Sequence, residues 1–349
     1  VIGGWVIKYL VEYFRGNAKL LAEDGYFTDF ISNGVSTELC FVAFCAFTLI
    51  IIFAGVQNGI ERVSKIMMPI LIVLSVIIAV YSVTRPGALA GVKYFLVPNV
   101  KNFSWMTVVS AMGQMFYSLS IAMGILITFG SYMKKDTAIE DSTRNVEIFD
   151  TGIAIMAGLM IIPAVFAFSG GDPDTLQAGP SLMFITIPKV FQNMGFGTVI
   201  GIVFFLLVLF AAVTSSIALT ESAVSTFEDE LGWGRKKATV LVGVIMLALG
   251  SLSSLGYGPL AGIKIIGMQF LDLFDFLTNS VMMPIAALLT SLFVSRVVGI
   301  DKIEEEIIHG ESAFRRKKVF VVMIKYLCPV FAIIILLSSV ANALGWIKM

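Results

Sequence analysis

The sequence predicts an all-α protein that crosses a membrane many times, and three features carry that prediction. Hydrophobic residues make up 58% of the chain and charged ones 14%, with a mean hydropathy of +0.93. A soluble domain holds roughly 25% charged and 45–50% apolar residues, so this chain has too little polar surface to cover itself in water. The apolar residues also gather into stretches of about 20, the length at which a helix crosses roughly 30 Å of hydrocarbon. Finally, basic residues collect in alternate connections between those stretches, as a fixed topology requires.

The first element is a partial helix from Val1 to about Phe14. It is apolar from its first residue, with no Met and no signal-peptide basic region, so it reads as starting inside a helix with further residues upstream. Full spans follow at about Leu39–Gly55, Ile66–Thr84, Met106–Tyr132, Ile148–Ser169 and Thr198–Thr226, then Ala238–Leu255, Ile263–Val294 and Val319–Leu344. Connections with Arg62 and Lys65, with Lys134, Lys135 and Arg144, with Arg235 to Lys237, and with Arg296, Lys302 and Arg315 to Lys318 alternate with others. Those others hold Arg85, Lys93 and Lys101, then Gly170-Gly171-Asp172-Pro173-Asp174 and Lys189, then Gly256-Tyr257-Gly258-Pro259. The first set is therefore cytoplasmic, which puts residues 16–37 outside and the chain end at Met349 outside or in the outer interface. Residues 85–105 and 170–194 are too long for turns. The second contains an apolar patch around Phe184, which suits either a lid or a plain surface loop.

Polar groups inside spans are where function is sought, because they are costly there unless paired or facing a cavity. Gln114 to Gly124 crowds a glutamine, a tyrosine, two serines and a glycine into three turns. An interrupted helix, with freed backbone groups able to bind a substrate's charged ends, would look like this. Serines bonding back to their own backbone or gluing helices would look the same. Ala211, Thr214 and Ser215 are spaced i, i+3, i+4 and share a helical face. They offer the oxygens a hard cation prefers, or the small side chains of a tight helix contact. Asp150, Asp272 and Asp275 fall in spans, and Glu221 lies near the inner end of another. Each needs a partner if it lies deep.

Other classes find no support. The net charge is zero, so no nucleic-acid partner is indicated, and the lipid bilayer is the evident surroundings. The cysteines Cys40, Cys45 and Cys328 lie in apolar segments without metal or disulfide spacing, and His309 sits in a charged loop. HExxH, GxSxG and P-loop patterns are missing, and no organic-cofactor motif is present. An enzyme is not expected.

Six segments, in order, carry a family resemblance. They are Asn58-Gly59-Ile60-Glu61-Arg62 with Lys65-Ile66 and Pro69, Gly113 to Ser120, Phe184-Ile185-Thr186-Ile187-Pro188, Thr214 to Ala218, Phe227 to Leu231, and Phe270 to Phe276. With them the chain resembles the neurotransmitter:sodium symporter family, in its bacterial branch, over essentially its whole length. The resemblance implies one transporter domain over residues 1–349, matching family helices three to eleven, in a fold of two inverted five-helix repeats with a helix broken at the midplane. Ser118 to Gly124 matches the break. Tyr117, Ser118, Ser120 and Met123 match substrate-pocket positions, faced by Ser215, Ser216 and Leu219. Met123, adaptable in shape, points to a hydrophobic or aromatic amino acid. Ser118, Asp150, Ala211 (by its carbonyl), Thr214 and Ser215 match sodium ligands. Asp150 would also supply the negative charge that chloride supplies in animal members, so chloride independence is expected. Tyr132, Phe184, Asp229 and Asp275 match gating positions, and the partners of the gating acids would lie upstream of Val1.

The implied function is sodium-coupled symport of a neutral amino acid by alternating access, without covalent chemistry. Proton coupling or exchange on the same fold, and an amino-acid sensor that transports nothing, are the alternatives. A homodimer is compatible with either.

Overall fold

The computed structural model describes residues 1–349 apart from 173–175, 177, 178, 312, 344 and 347–349. Pro173 and Asp174 of the long loop expected outside, and the chain end at Met349, therefore lie outside the described residues. In chain order the helices are α1 (Ile2–Phe14), α2 (Ala18–Leu21), α3 (Tyr26–Ser32), α4 (Gly34–Phe53), α5 (Arg62–Val83) and α6 (Ala88–Leu96). Next come α7 (Trp105–Ser118), α8 (Ile125–Ser131), α9 (Ile139–Ser169), α10 (Ile187–Gln192), α11 (Gly197–Leu231) and α12 (Arg235–Leu255). The last are α13 (Phe270–Asp275), α14 (Met283–Phe293), α15 (Ile300–Gly310), α16 (Lys317–Val322) and α17 (Cys328–Ala343). Wider π turns at Val56–Glu61, Leu182–Thr186, Phe276–Met282, Val294–Val298 and Met323–Leu327 interrupt or extend them.

Seven continuous stretches among the described residues are long and apolar enough to cross a bilayer. They are Gly34–Phe53, Val56–Val83, Ile139–Ser169, Gly197–Leu231, Arg235–Leu255, Phe270–Val298 and Lys317–Ala343. The remaining predicted full span, Met106–Tyr132, is present as α7 and α8 with a break between them. Several predicted boundaries need correction: the span expected from Leu39 starts at Gly34, and the one expected from Ile66 runs on from the π turn at Val56. The helix carrying the span expected from Ile148 begins earlier, at Ile139, because Glu140 and Asp141 in its first turn suit the positive end of a helix. The span expected from Ile263 begins instead at Phe270. There Ile266 (φ 53°) and Gly267 (φ 76°) turn left-handed, and Ile265 and Met268 pair as an isolated bridge. A tight reversal of this kind ends any helix run.

The chain packs as two units, Val1–Pro98 with Ile153–Leu271, and Asn99–Gly152 with Asp272–Met349. In the first, α1 lies against α4 and α11, and α11 also contacts α5 and α12. Its core is aromatic: Trp5, Tyr9, Tyr13, Phe184, Phe191 and Phe205 are almost wholly buried. The 182–192 segment is thus no plain surface loop. Phe184 stacks on Phe27 at 5.2 Å between ring centroids, and the Tyr9 hydroxyl donates to the Phe184 carbonyl at 2.8 Å. Lys189 pairs with Asp24, holding the Asp24 carboxyl below the usual carboxylate range. That pair is exposed and adds little, so the segment is held by its aromatic burial. In the second unit α17 packs along α14 and touches α7.

Candidate functional site

The break between α7 and α8 is built by the local backbone. Ser104 caps the start of α7, accepting from the Thr107 N–H at 3.2 Å. At its far end the ladder loosens, and the Ile121 N–H reaches back to Phe116 O at 3.1 Å, one residue further than an α-helical bond. Ser120 (φ 54°), Ala122 (φ 62°) and Gly124 (φ 79°) then all adopt left-handed backbone. Two of the three carry a Cβ, which costs roughly 1–2 kcal/mol for each. Strain of this kind persists where surrounding structure holds it, commonly at functional sites. A broken helix also frees carbonyl and N–H groups that an unbroken one would use internally. Glycine is the residue that opens α8 without penalty, so Gly124→Ala is expected to lower stability by about 1–2 kcal/mol. Thermal unfolding of the purified protein in detergent would measure it.

Beside the break stands the first polar contact. The Ser118 hydroxyl donates to Asp150 Oδ1 at 2.7 Å, joining the last residue of α7 to the half-buried Asp150 of α9. Tyr117 is about half exposed at 52%, and Ser120 and Met123 are half-buried. In the same unit Asp275 accepts from Asn279 Nδ2 at 2.5 Å and is otherwise open, while Tyr132 follows α8 and is 40% exposed.

The second contact lies on α11, in the other unit. Thr214 Oγ1 donates to the Ala211 carbonyl at 3.0 Å and to the Phe210 carbonyl at 2.9 Å. The Ala211 and Thr214 oxygens therefore adjoin, as their spacing implies. Ser215 and Leu219 follow on the exposed side, Leu219 at 49%. Ser216 differs from its neighbour: its hydroxyl lies 3.1 Å from that of Thr48 on α4 and so takes part in helix packing. Asp229 is exposed in the last turn of α11.

One polar pair exceeded what the sequence suggested. Glu221, wholly buried on α11, receives Arg235 in a two-pronged contact, Nη1 to Oε1 at 3.0 Å and Nη2 to Oε2 at 2.6 Å. Arg235 Nε also donates to the Ile52 carbonyl at 3.0 Å. A buried acid requires such a partner, and the basic run from Arg235 to Lys237 was the nearest source in sequence.

Residues 7–346 match the model of the Sodium:neurotransmitter symporter family. The chain belongs to that family. YhdH of Bacillus subtilis, an uncharacterized sodium-dependent transporter, is 34% identical over 344 residues, covering 97% of this chain and 75% of the relative. An uncharacterized sodium-dependent transporter of Haemophilus influenzae is 30% identical over 350 residues, with 97% and 75% covered. The archaeal MJ1319 of Methanocaldococcus jannaschii, named likewise, is 30% identical over 325 residues; 88% of this chain aligns with 64% of it. Among solved structures, MhsT in complex with L-phenylalanine superposes with a TM-score of 0.83 at 34% identity, over 97% of this chain and 76% of MhsT. This symporter-family chain is accordingly a multi-pass, all-helical membrane protein of a sodium-dependent transporter family, and not an enzyme.

Proposed function

We propose that the transporter couples Na⁺ to the inward movement of a neutral amino acid with a hydrophobic or aromatic side chain. The observation that carries this reading is the broken helix, with its last hydroxyl, Ser118, bonded to Asp150. Sodium prefers oxygen ligands, and a broken helix at mid-membrane is where transporters bind substrate and coupling ion. Ser118 and Asp150 serve one ion; the Ala211 carbonyl, Thr214 and Ser215 serve a second. Tyr117, Ser120 and Met123 beside the break are the substrate contacts of this reading, and on α11 Ser215, Ser216 and Leu219 likewise, the Ser216 hydroxyl being shared with Thr48. The L-phenylalanine held by MhsT supports an aromatic substrate.

Alternating access follows if residues 1–349 supply helices three to eleven of one transporter domain of inverted five-helix repeats. Phe184 and Asp275 act at the outer gate, Tyr132 and Asp229 at the inner one. The protein does no covalent chemistry, and the Na⁺ gradient supplies the driving free energy.

Uptake of radiolabelled L-phenylalanine into vesicles bearing the transporter tests the reading. Replacing Na⁺ by choline is expected to abolish concentrative uptake; undiminished uptake would refute sodium coupling. Replacing chloride by gluconate is expected to leave the rate unchanged, because Asp150 already places a carboxylate at the site. A rate that collapses without chloride would remove that role from Asp150.

A further inference from the structure

At the end of the second unit that its basic residues mark as cytoplasmic, two segments far apart in sequence cap each other. Glu311, just beyond α15, accepts on Oε1 from the Glu140 N–H at 2.6 Å and from the Asp141 N–H at 3.4 Å. These are two of the donors that the first turn of α9 leaves without an internal partner. In return the Arg315 N–H donates to Glu140 Oε2 at 2.9 Å. The two backbones meet closely: a Cβ added to Gly310 would stand 2.5 Å from the Thr137 carbonyl oxygen. Arg316 completes the arrangement, with Nη1 2.8 Å from Glu147 Oε2 and Nε 3.9 Å from Glu140.

These contacts differ in strength. The Arg316–Glu147 pair is about half exposed on both sides, and such pairs contribute little. A carboxylate accepting backbone N–H groups at a helix N-terminus is a charge-assisted bond, roughly twice as strong as a neutral one. Glu311 is therefore the stronger polar hold on the first turn of α9. Glu140, Glu147 and Asp150 follow at i, i+7 and i+10, so the held side of the helix leads towards the side that carries Asp150. About 15 Å of helix, at 1.5 Å per residue, separates the cap from Asp150, with no proline between.

We propose that Glu311 is a positioning residue for the ion site: by capping α9 it sets the height and rotation at which Asp150 meets Ser118. The inference rests on the reading of Asp150 as a sodium ligand. A small misplacement of a ligand-bearing group is enough to lose much of its effect.

The test is the Na⁺ dependence of uptake in Glu311→Ala, Glu311→Gln, Asp150→Ala and Glu304→Gln. Glu304 sits on the same connector and pairs with Lys317. Glu311→Ala is expected to raise the Na⁺ concentration for half-maximal uptake about fivefold, with the maximal rate within about twofold, the scale of coupling through packed elements. Glu311→Gln keeps an acceptor oxygen and should recover part of the shift, and Glu304→Gln should show none. An unchanged Na⁺ dependence in both Glu311 variants overturns the proposal, as does an equal shift in Glu304→Gln. If Glu311→Ala fails to reach the membrane, Glu311→Gln decides alone, against the same controls. Asp150→Ala separates the two readings. No shift there refutes the sodium role of Asp150, whereas a shift there with none at Glu311 refutes only the positioning.

Discussion

Alanine at position 235 is expected to cost the protein about 3–5 kcal/mol of stability, the usual penalty for removing one member of a buried ion pair. Glu221 is fully buried and holds Arg235 through two bonds. Without the guanidinium the buried carboxylate would lose its cation, and the Ile52 carbonyl would lose a donor as well. Lysine should recover only part of the loss, because a single ammonium cannot match the two-pronged geometry. Replacing both members with apolar residues of similar size should cost much less than the single change, since an unpaired charge is the expensive outcome. Detergent-solubilised unfolding of the single and double variants measures this. A single-variant loss below about 1 kcal/mol would place the pair among solvated surface bridges instead.

The second large effect concerns ion binding. Asp150→Ala removes a proposed sodium ligand together with the acceptor of the Ser118 hydroxyl. Loss of a mere outer-shell partner of a bound metal typically costs about 10–100-fold in affinity, so loss of a ligand should raise the Na⁺ requirement by at least about 100-fold. Asp150→Asn keeps an oxygen and removes the charge. It is expected to transport with a weaker Na⁺ response and to become sensitive to chloride. Direct titration of Na⁺-dependent thermal stabilisation reads the same affinity without transport, because a ligand that binds the folded state stabilises it. Wild-type Na⁺ titration in Asp150→Ala would move the ion site elsewhere.

Most of the architecture was legible because a bilayer leaves few ways to satisfy a backbone. Apolar length located α4, α5, α11, α12 and α17, whereas the crowding of Gln114 to Gly124 left a break as one of two readings, and the family resemblance decided between them. The start of the span at Phe270 was not legible: Ile263, Ile265 and Ile266 are as apolar as helix residues, and only the left-handed turn at Ile266-Gly267 excludes them. The first turns of α9, Ile139 to Glu147, are not legible as part of the span because hydropathy measures residence in lipid and this stretch is rich in charge. At the site, spacing alone brought Ala211 and Thr214 together, since one helix fixes both. Ser118 with Asp150, and Glu221 with Arg235, depend on how separate helices meet. The family resemblance aligned Asp150 with an ion ligand, but no spacing rule assigned Arg235 to Glu221. Ser216 shows the reverse limit. It shares a motif with Ser215, yet one step along the helix turns its hydroxyl to Thr48.

The Tyr9 hydroxyl bonds to the main-chain carbonyl of residue 184 and not to a side chain. Such a tether is blind to which amino acid occupies its acceptor end. Drift at 184 would change the aromatic stacking but leave the hydroxyl bond available, whereas a single Tyr9→Phe change would remove that bond whatever stands at 184. Tolerance at the two ends is therefore unequal. A saturation library should return several large apolar residues at 184 and little besides tyrosine at 9.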